Sequence, residues 1–272
     1  MPGVRMSPAL LRTVVALLGS LLLLVPHASG EEAGDSSSPA AVGERLVRAY
    51  PKLLTRVDGP NLVWADGTRM PLSDGNRAKS FDERLANPDL IDMFAQAYRP
   101  GRPGADPAVN EDPGRFRNED FFKKMYGDCK KGEVTPRMRR VQWMPDRGGK
   151  TLMVTTVNGV ADQLEAVIRD LQQLPAAMTG YLVPSSGTYL CRAIAGTDQR
   201  SMHAYAAAVD INASRADYWR WPQVPSGEIP YRNHVPLEIV ELFERHGFIW
   251  GGKWYHFDTM HFEYRPELFP MP

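Results

Sequence analysis

Two short stretches constrain this chain more than anything else in it: Ser201-Met-His-Ala-Tyr-Ala-Ala-Ala-Val-Asp210 and, further on, Asp258-Thr-Met-His261. Together they offer two imidazoles and two carboxylates. Two His and one Asp suffice as protein ligands for a catalytic zinc ion with a fourth position open to water. The remaining carboxylate, Asp258, is then free to act as a general base. This reading makes geometric demands. His203 and Asp210 are an odd number of residues apart, so one continuous strand would put them on opposite faces. A bend must separate them, and the small side chains of Ala206, Ala207 and Ala208 allow tight backbone packing around it. Asp258 and His261 are also oddly spaced and need a turn of their own.

The N-terminus reads as a secretory signal peptide. Arg5 and Arg12 supply a positive start, Thr13 to Val25 is apolar apart from Gly19 and Ser20, and Ala28-Ser29-Gly30 suits cleavage. The apolar run is short for a bilayer span, which needs about 20 residues, so no stable membrane span is expected after cleavage. Export permits disulfides, and the two cysteines, Cys129 and Cys191, are candidates for one. If it forms, it clamps the residue next to Arg192. Acidic and basic residues balance, 32 against 32, which gives no electrostatic case for nucleic-acid or polybasic membrane binding.

Four parts are expected: a signal peptide over 1–30, a Ser/Ala/Pro/Gly-rich linker over 31–43, an accessory region over 44–135 and the metal-bearing domain over 136–272. In the accessory region the pattern predicts a short helix over Glu44–Leu54, limited by Pro51, and a hairpin over Asn61–Leu72 turning at Asp66-Gly67. It also predicts a helix from Asn87-Pro88 to about Tyr98, with Asn87 as cap, and a short helix capped by Asn118. No ligand cluster or nucleophile–base pair stands out there, so it reads as structural or substrate-shaping, with an unknown regulator as its candidate partner. In the second half, strands are expected near Arg140–Met144, Thr151–Val157, Thr188–Ile194, Ala207–Ile211, Phe248–Trp250 and Met260–Tyr264. Helices should follow Asn158 and Pro236. The irregular alternation predicts an α+β fold, a small antiparallel sheet flanked by helices with an extra mixed N-terminal region, over a doubly wound parallel sheet.

Ser201-Met-His203, Ala208-Val-Asp210, Trp250-Gly-Gly-Lys-Trp254 and His261-Phe-Glu263 in this order resemble the D-alanyl-D-alanine carboxypeptidase and L-alanyl-D-glutamate endopeptidase family, which includes VanX-like and VanY-like enzymes and phage endolysins. The resemblance spans roughly residues 180–268. It implies that His203, Asp210 and His261 hold one zinc ion, that Asp258 is the general base, that Arg192 stabilises the oxyanion and that Ser201 lines the substrate pocket. Trp250 and Trp254 are candidates for an apolar wall beside the cleft. The sequence departs from the family pattern in three places. Ala206 stands where a glycine is usual, which strains the backbone if φ is positive there. Lys253 stands where an acidic residue is common. The first hundred residues have no counterpart.

The implied activity is a periplasmic or secreted zinc peptidase cutting peptidoglycan stem peptides, with the L-alanyl-D-glutamate endopeptidase branch favoured. A D,D- or L,D-carboxypeptidase is the near alternative. It would need a cation for the substrate C-terminus, from Lys253 or Arg200. A zinc-stabilised wall-binding module without turnover is the alternative from another class; Hedgehog signalling domains, which resemble this zinc site, show that the scaffold can serve recognition. Asp258 and Arg192 argue against it, because a binder needs neither. His256 could share a face with Asp258, whereas His234 and His246 read as solvent-exposed.

Overall fold

The computed structural model describes residues 38–194, 199–222 and 229–270. The expected signal peptide and the linker up to Ser37 lie outside them. Ser38 caps the first helix, α1 (Pro39–Ala49), so helix begins within the segment expected as linker. Pro at the first turn suits it, and Tyr50 ends it just before Pro51. Three short strands follow, β1 (Leu54–Asp58), β2 (Asn61–Trp64) and β3 (Arg69–Pro71), in one antiparallel sheet. The β2–β3 turn falls at Asp66-Gly67, where Gly67 takes a positive φ of 81° and Asp66 Oδ1 accepts the Thr68 N–H.

The helix expected from Asn87 to Tyr98 is not formed. Instead α2 (Phe81–Ala86) precedes it, started by a capping box between Ser80 and Glu83, and Asn87 is its C-terminal cap. The chain then coils around the buried Asp92 carboxylate, which takes the Asp89 N–H at 3.0 Å and Lys79 Nζ at 2.6 Å. Only one 3-10 turn, Asp92–Phe94, remains. The Ser-Phe-Asp-Glu pattern at 80–83 is a helix-start signal, and it outweighs Asn-Pro. Asn118 caps α3 (Glu119–Tyr126) as expected, burying Phe121, Phe122, Met125 and Tyr126.

In the second half β4 (Met138–Gln142) pairs with β5 (Thr151–Thr155). Next come α4 (Val160–Leu171), whose N-cap is Gly159 at φ 72° and not the expected Asn158, and the single turn α5 (Thr179–Leu182). Residues 188–194 are not the strand expected; they carry an isolated bridge, Ala193 to Arg200, and the Cys129–Cys191 disulfide. The last sheet places β8 (His261–Tyr264) between β6 (Ala208–Asp210) and β7 (Phe248–Trp250), all antiparallel, with α6 (Leu237–Arg245) running into β7. The architecture is α+β with small antiparallel sheets.

One apolar core joins the two halves. Val42, Leu46 and Tyr50 of α1 and Phe121 and Phe122 of α3 belong to the same buried cluster as Trp143, Phe243, Trp250 and Phe262. Phe243 of α6 stacks on Phe262 of β8 with ring centroids 3.8 Å apart. Among the described residues no helix is long and apolar enough to cross a membrane.

Candidate metal centre

The register of the last sheet builds the site. Asp210 on β6 lies directly opposite His261 on β8, and directly opposed residues in an antiparallel pair project from the same face. His203 arrives through the bend that the odd spacing requires. A 3-10 turn over Met202–Tyr205 is followed by Ala206 in the left-handed region, φ 53° and ψ 31°, and then by β6. Ala206 is thus the strained alanine foreseen for a position where glycine is usual. Asp258 is turned away from β8 by a tight turn in which its carbonyl accepts the His261 N–H at 3.1 Å.

The hydrogen bonds fix which atoms face inward. His203 Nδ1 lies 3.0 Å from the Thr188 carbonyl oxygen, which can only accept, so Nδ1 carries the proton and Nε2 presents a lone pair. His261 Nε2 lies 2.9 Å from Glu263 Oε2 and donates to it, leaving the Nδ1 lone pair. Those two lone pairs face each other at 3.1 Å, and both approach Asp210 Oδ1, at 3.1 and 3.0 Å. Three electron-rich atoms so close repel unless a cation or proton lies among them. The donor set of two imidazole nitrogens and one carboxylate oxygen, all within 4.8 Å of one another, can hold a metal ion. Burial opposes the charge on Asp210, but the two histidines outweigh it and hold the carboxyl well below the usual range. Burial likewise opposes charge on His261, yet the Asp210 and Glu263 carboxylates hold it up at about 10, so without a cation a proton occupies Nδ1 and bonds Asp210, in the place a metal ion would take.

Asp258 lines the same cleft. Its Oδ1 is buried and has no hydrogen-bond partner. Burial, and then the charge of Asp210, raise its carboxyl to about 6. Arg192 is exposed and lines the cleft beside the disulfide. Ser201 both lines the cleft and caps the turn, its Oγ accepting the His203 N–H at 3.3 Å. Of the two tryptophans, only Trp254 is in the cleft, its ring centroid 5.7 Å from that of His261 and its Nε1 donating to the Pro113 carbonyl. Trp250 is a fully buried core residue that donates to the Thr259 carbonyl. The glycines between them are required by close approach, since a Cβ on Gly252 would stand 2.1 Å from the Trp250 ring.

Neither cation considered for a substrate C-terminus is free to serve. Lys253 is buried and bound to the Glu244 carboxylate and the Arg99 carbonyl. Arg200 is buried against Glu119 and Asp128. His256 does line the cleft, and Asp112 Oδ2 accepts its Nδ1–H at 2.7 Å, which aims Nε2 elsewhere. His234 is exposed beside Asp217, and His246 contacts Asp170.

The sequence reading missed the contribution of the segment 112–117. Arg115 and Arg117 line the cleft, as do Tyr218 and Trp219. Asp112 receives both His256 and Arg115, the latter at 2.6 Å. Arg117 grips Glu263, with Nε 3.0 Å from Oε1 and Nη2 on Oε2. Burial opposes the Glu263 charge, but the Arg117 charge and the His261 bond hold the carboxyl well below its usual range.

Residues 195–264 match the family model described as D-alanyl-D-alanine carboxypeptidase. The match supports the peptidase family expected from the motifs. It contains His203, Asp210, Asp258 and His261 and leaves out Arg192 and the 112–117 segment. No curated protein and no solved structure matches the chain.

Proposed function

We propose that this chain is an exported zinc peptidase that hydrolyses peptidoglycan stem peptides, of the L-alanyl-D-glutamate endopeptidase type. The observation that carries the reading is the convergence of three ligand lone pairs beside a cleft carboxylate with an unpartnered oxygen. His203, Asp210 and His261 would hold one zinc ion, which when bound supplies Lewis acidity to a substrate carbonyl and lowers the pKa of water. Asp258 takes the proton of the attacking water and passes it to the leaving amine. Burial, the first cause of its raised pKa, makes that carboxylate a stronger base than one in water. Arg192 keeps its charge at any working pH and donates to the developing oxyanion. Trp254 and Ser201 shape the pocket. The N-terminal pattern and the Cys129–Cys191 bridge support export, because such bridges persist in oxidising compartments.

The engagement of Lys253 and Arg200 by carboxylates favours an endopeptidase. Arg115 also pairs with a carboxylate, Asp112, but it lines the cleft that Lys253 and Arg200 do not, which supports a second reading, a carboxypeptidase in which that guanidinium meets the substrate's terminal carboxylate. Mass spectrometry of peptidoglycan fragments incubated with the protein, with and without chelator, tests both. Chelator-sensitive release of products cut between L-alanine and D-glutamate is the expected result. Loss of a terminal residue alone would favour the carboxypeptidase. Intact fragments despite one bound zinc per chain would refute turnover and leave a wall-binding module.

A further inference from the structure

We infer that Arg117, from the half of the chain outside the family match, is a positioning residue for the metal centre and acts on His261 through Glu263. The inference rests on the metal reading above. Glu263 follows His261 by two residues on β8 and so shares its face. Its carboxylate is fully buried and is shared by three partners. Oε1 receives Arg117 Nε at 3.0 Å and Arg265 Nη1 at 3.1 Å, while Oε2 receives Arg117 Nη2 and faces His261 Nε2 at 2.9 Å.

The division of labour between the two arginines is decisive. Arg265 reaches only Oε1, through an Nη1 shared with the Gly114 carbonyl, while its Nε is held by Glu267 and its buried Nη2 meets no hydrogen-bond partner. Arg117 alone meets both oxygens, and a two-pronged guanidinium fixes the plane of a carboxylate as a point charge cannot. That plane aims Oε2 at Nε2. An ionised carboxylate can only accept, so Nε2 must carry the proton and Nδ1 must present its lone pair beside Asp210 Oδ1. Arg117 is itself held, by the Arg115 carbonyl at 3.2 Å and by the face of Trp254, with its guanidinium carbon 5.6 Å from the ring centroid. One cation thus braces both a metal-ligand orientation and a wall of the cleft.

The test is zinc affinity, read by competition with a chromogenic chelator on the purified chain, independent of any hydrolysis. Arg117→Met and Glu263→Gln should each weaken zinc binding about 10–100-fold, the span seen when such outer partners of a metal-bound histidine are removed. Arg117→Lys should recover part of the loss. The double variant should bind little worse than Glu263→Gln, because both act through one carboxylate. A folded Arg117→Met protein with wild-type affinity would overturn the inference and leave Arg117 a stabilising ion-pair partner only. Should the variants not fold, the wild type still decides. Nitrogen-15 spectra of histidine-labelled, zinc-loaded protein should show His261 protonated at Nε2 and ligated through Nδ1, and the reverse would refute the argument. If the wild type takes up no zinc, the metal reading falls and this inference with it. If the wild type binds normally and only the variants are indifferent, this inference alone falls.

Discussion

Asp258→Asn should make the metal-free protein more stable while removing its activity. The Asp258 carboxyl sits at about 6 against an ordinary value of 3.8, raised first by burial and then by the charge of Asp210. Native protein therefore binds the Asp258 proton more tightly than unfolded chain does. Below about pH 4 the group is protonated in both states and carries no penalty. As pH rises from about 4 to about 6 the unfolded chain ionises freely while the native one resists, and stability falls. A displacement of about two pH units corresponds to about 3 kcal/mol. The residue is only partly shielded from solvent, so about 2 kcal/mol is the better expectation. Asparagine keeps the shape without the charge and should recover that amount. The assay is urea unfolding of both proteins after chelator treatment, at intervals from pH 4 to pH 8. The difference should be near zero at pH 4 and reach its full size by pH 7. Excess zinc should shrink it, because a cation beside Asp210 offsets the charge that destabilises Asp258. Hydrolysis by the loaded variant should drop about 10²–10⁴-fold. A variant no more stable than wild type at pH 8, or a gap that ignores pH, would refute the buried-charge argument.

The remaining expectations concern other parts of the frame. Replacing Cys129 and Cys191 together by serine should destabilise the protein by about 4 kcal/mol, because their sequence separation is 62 and loop-closure entropy scales with that length; urea midpoints with intact and absent bridge measure it. The same change should lower kcat, since it loosens the backbone beside Arg192. Ala206→Val should lose more than about 2 kcal/mol, because a β-branched residue is penalised at φ 53°. Ala206→Gly should stay within about 1 kcal/mol of wild type, the relieved strain offsetting the lost buried methyl and the added chain freedom; thermal melts of the two variants test the pair. Lys253→Met should cost about 3–5 kcal/mol, as it leaves the buried Glu244 carboxylate short of its cation. It should leave KM of the folded enzyme unchanged, and a large rise in KM would return Lys253 to the substrate site.

What could be read from the sequence, and what could not, divides along physical lines. The candidate ligand triad was legible as a cluster because its residue types, order and odd spacings demand two turns and one shared face. The Met202–Tyr205 turn, Ala206 and the Asp210–His261 register meet those demands. The helices after Asn118 and Pro236 were legible from caps and periodicity. The segment 112–117 was not, because a Pro/Gly-rich loop carries no periodic signal and its contacts reach across the chain: Arg117 to Glu263, Asp112 to His256, Trp254 to Pro113. One local clue existed. Glu263, Arg265 and Glu267 alternate along a stretch that is otherwise Phe262, Tyr264, Pro266 and Leu268, and all three charges are fully buried. Buried charges at the end of β8 and in the turn after it need partners, so that pattern calls for a cation and a hydroxyl from elsewhere in the chain. Arg117 is the cation, and Tyr50 at the end of α1 is the hydroxyl, donating to Glu267. The same buried chain of charges therefore runs from the first helix to His261, a candidate ligand. Damage near Tyr50 should then reach the candidate metal centre before it unfolds the sheet.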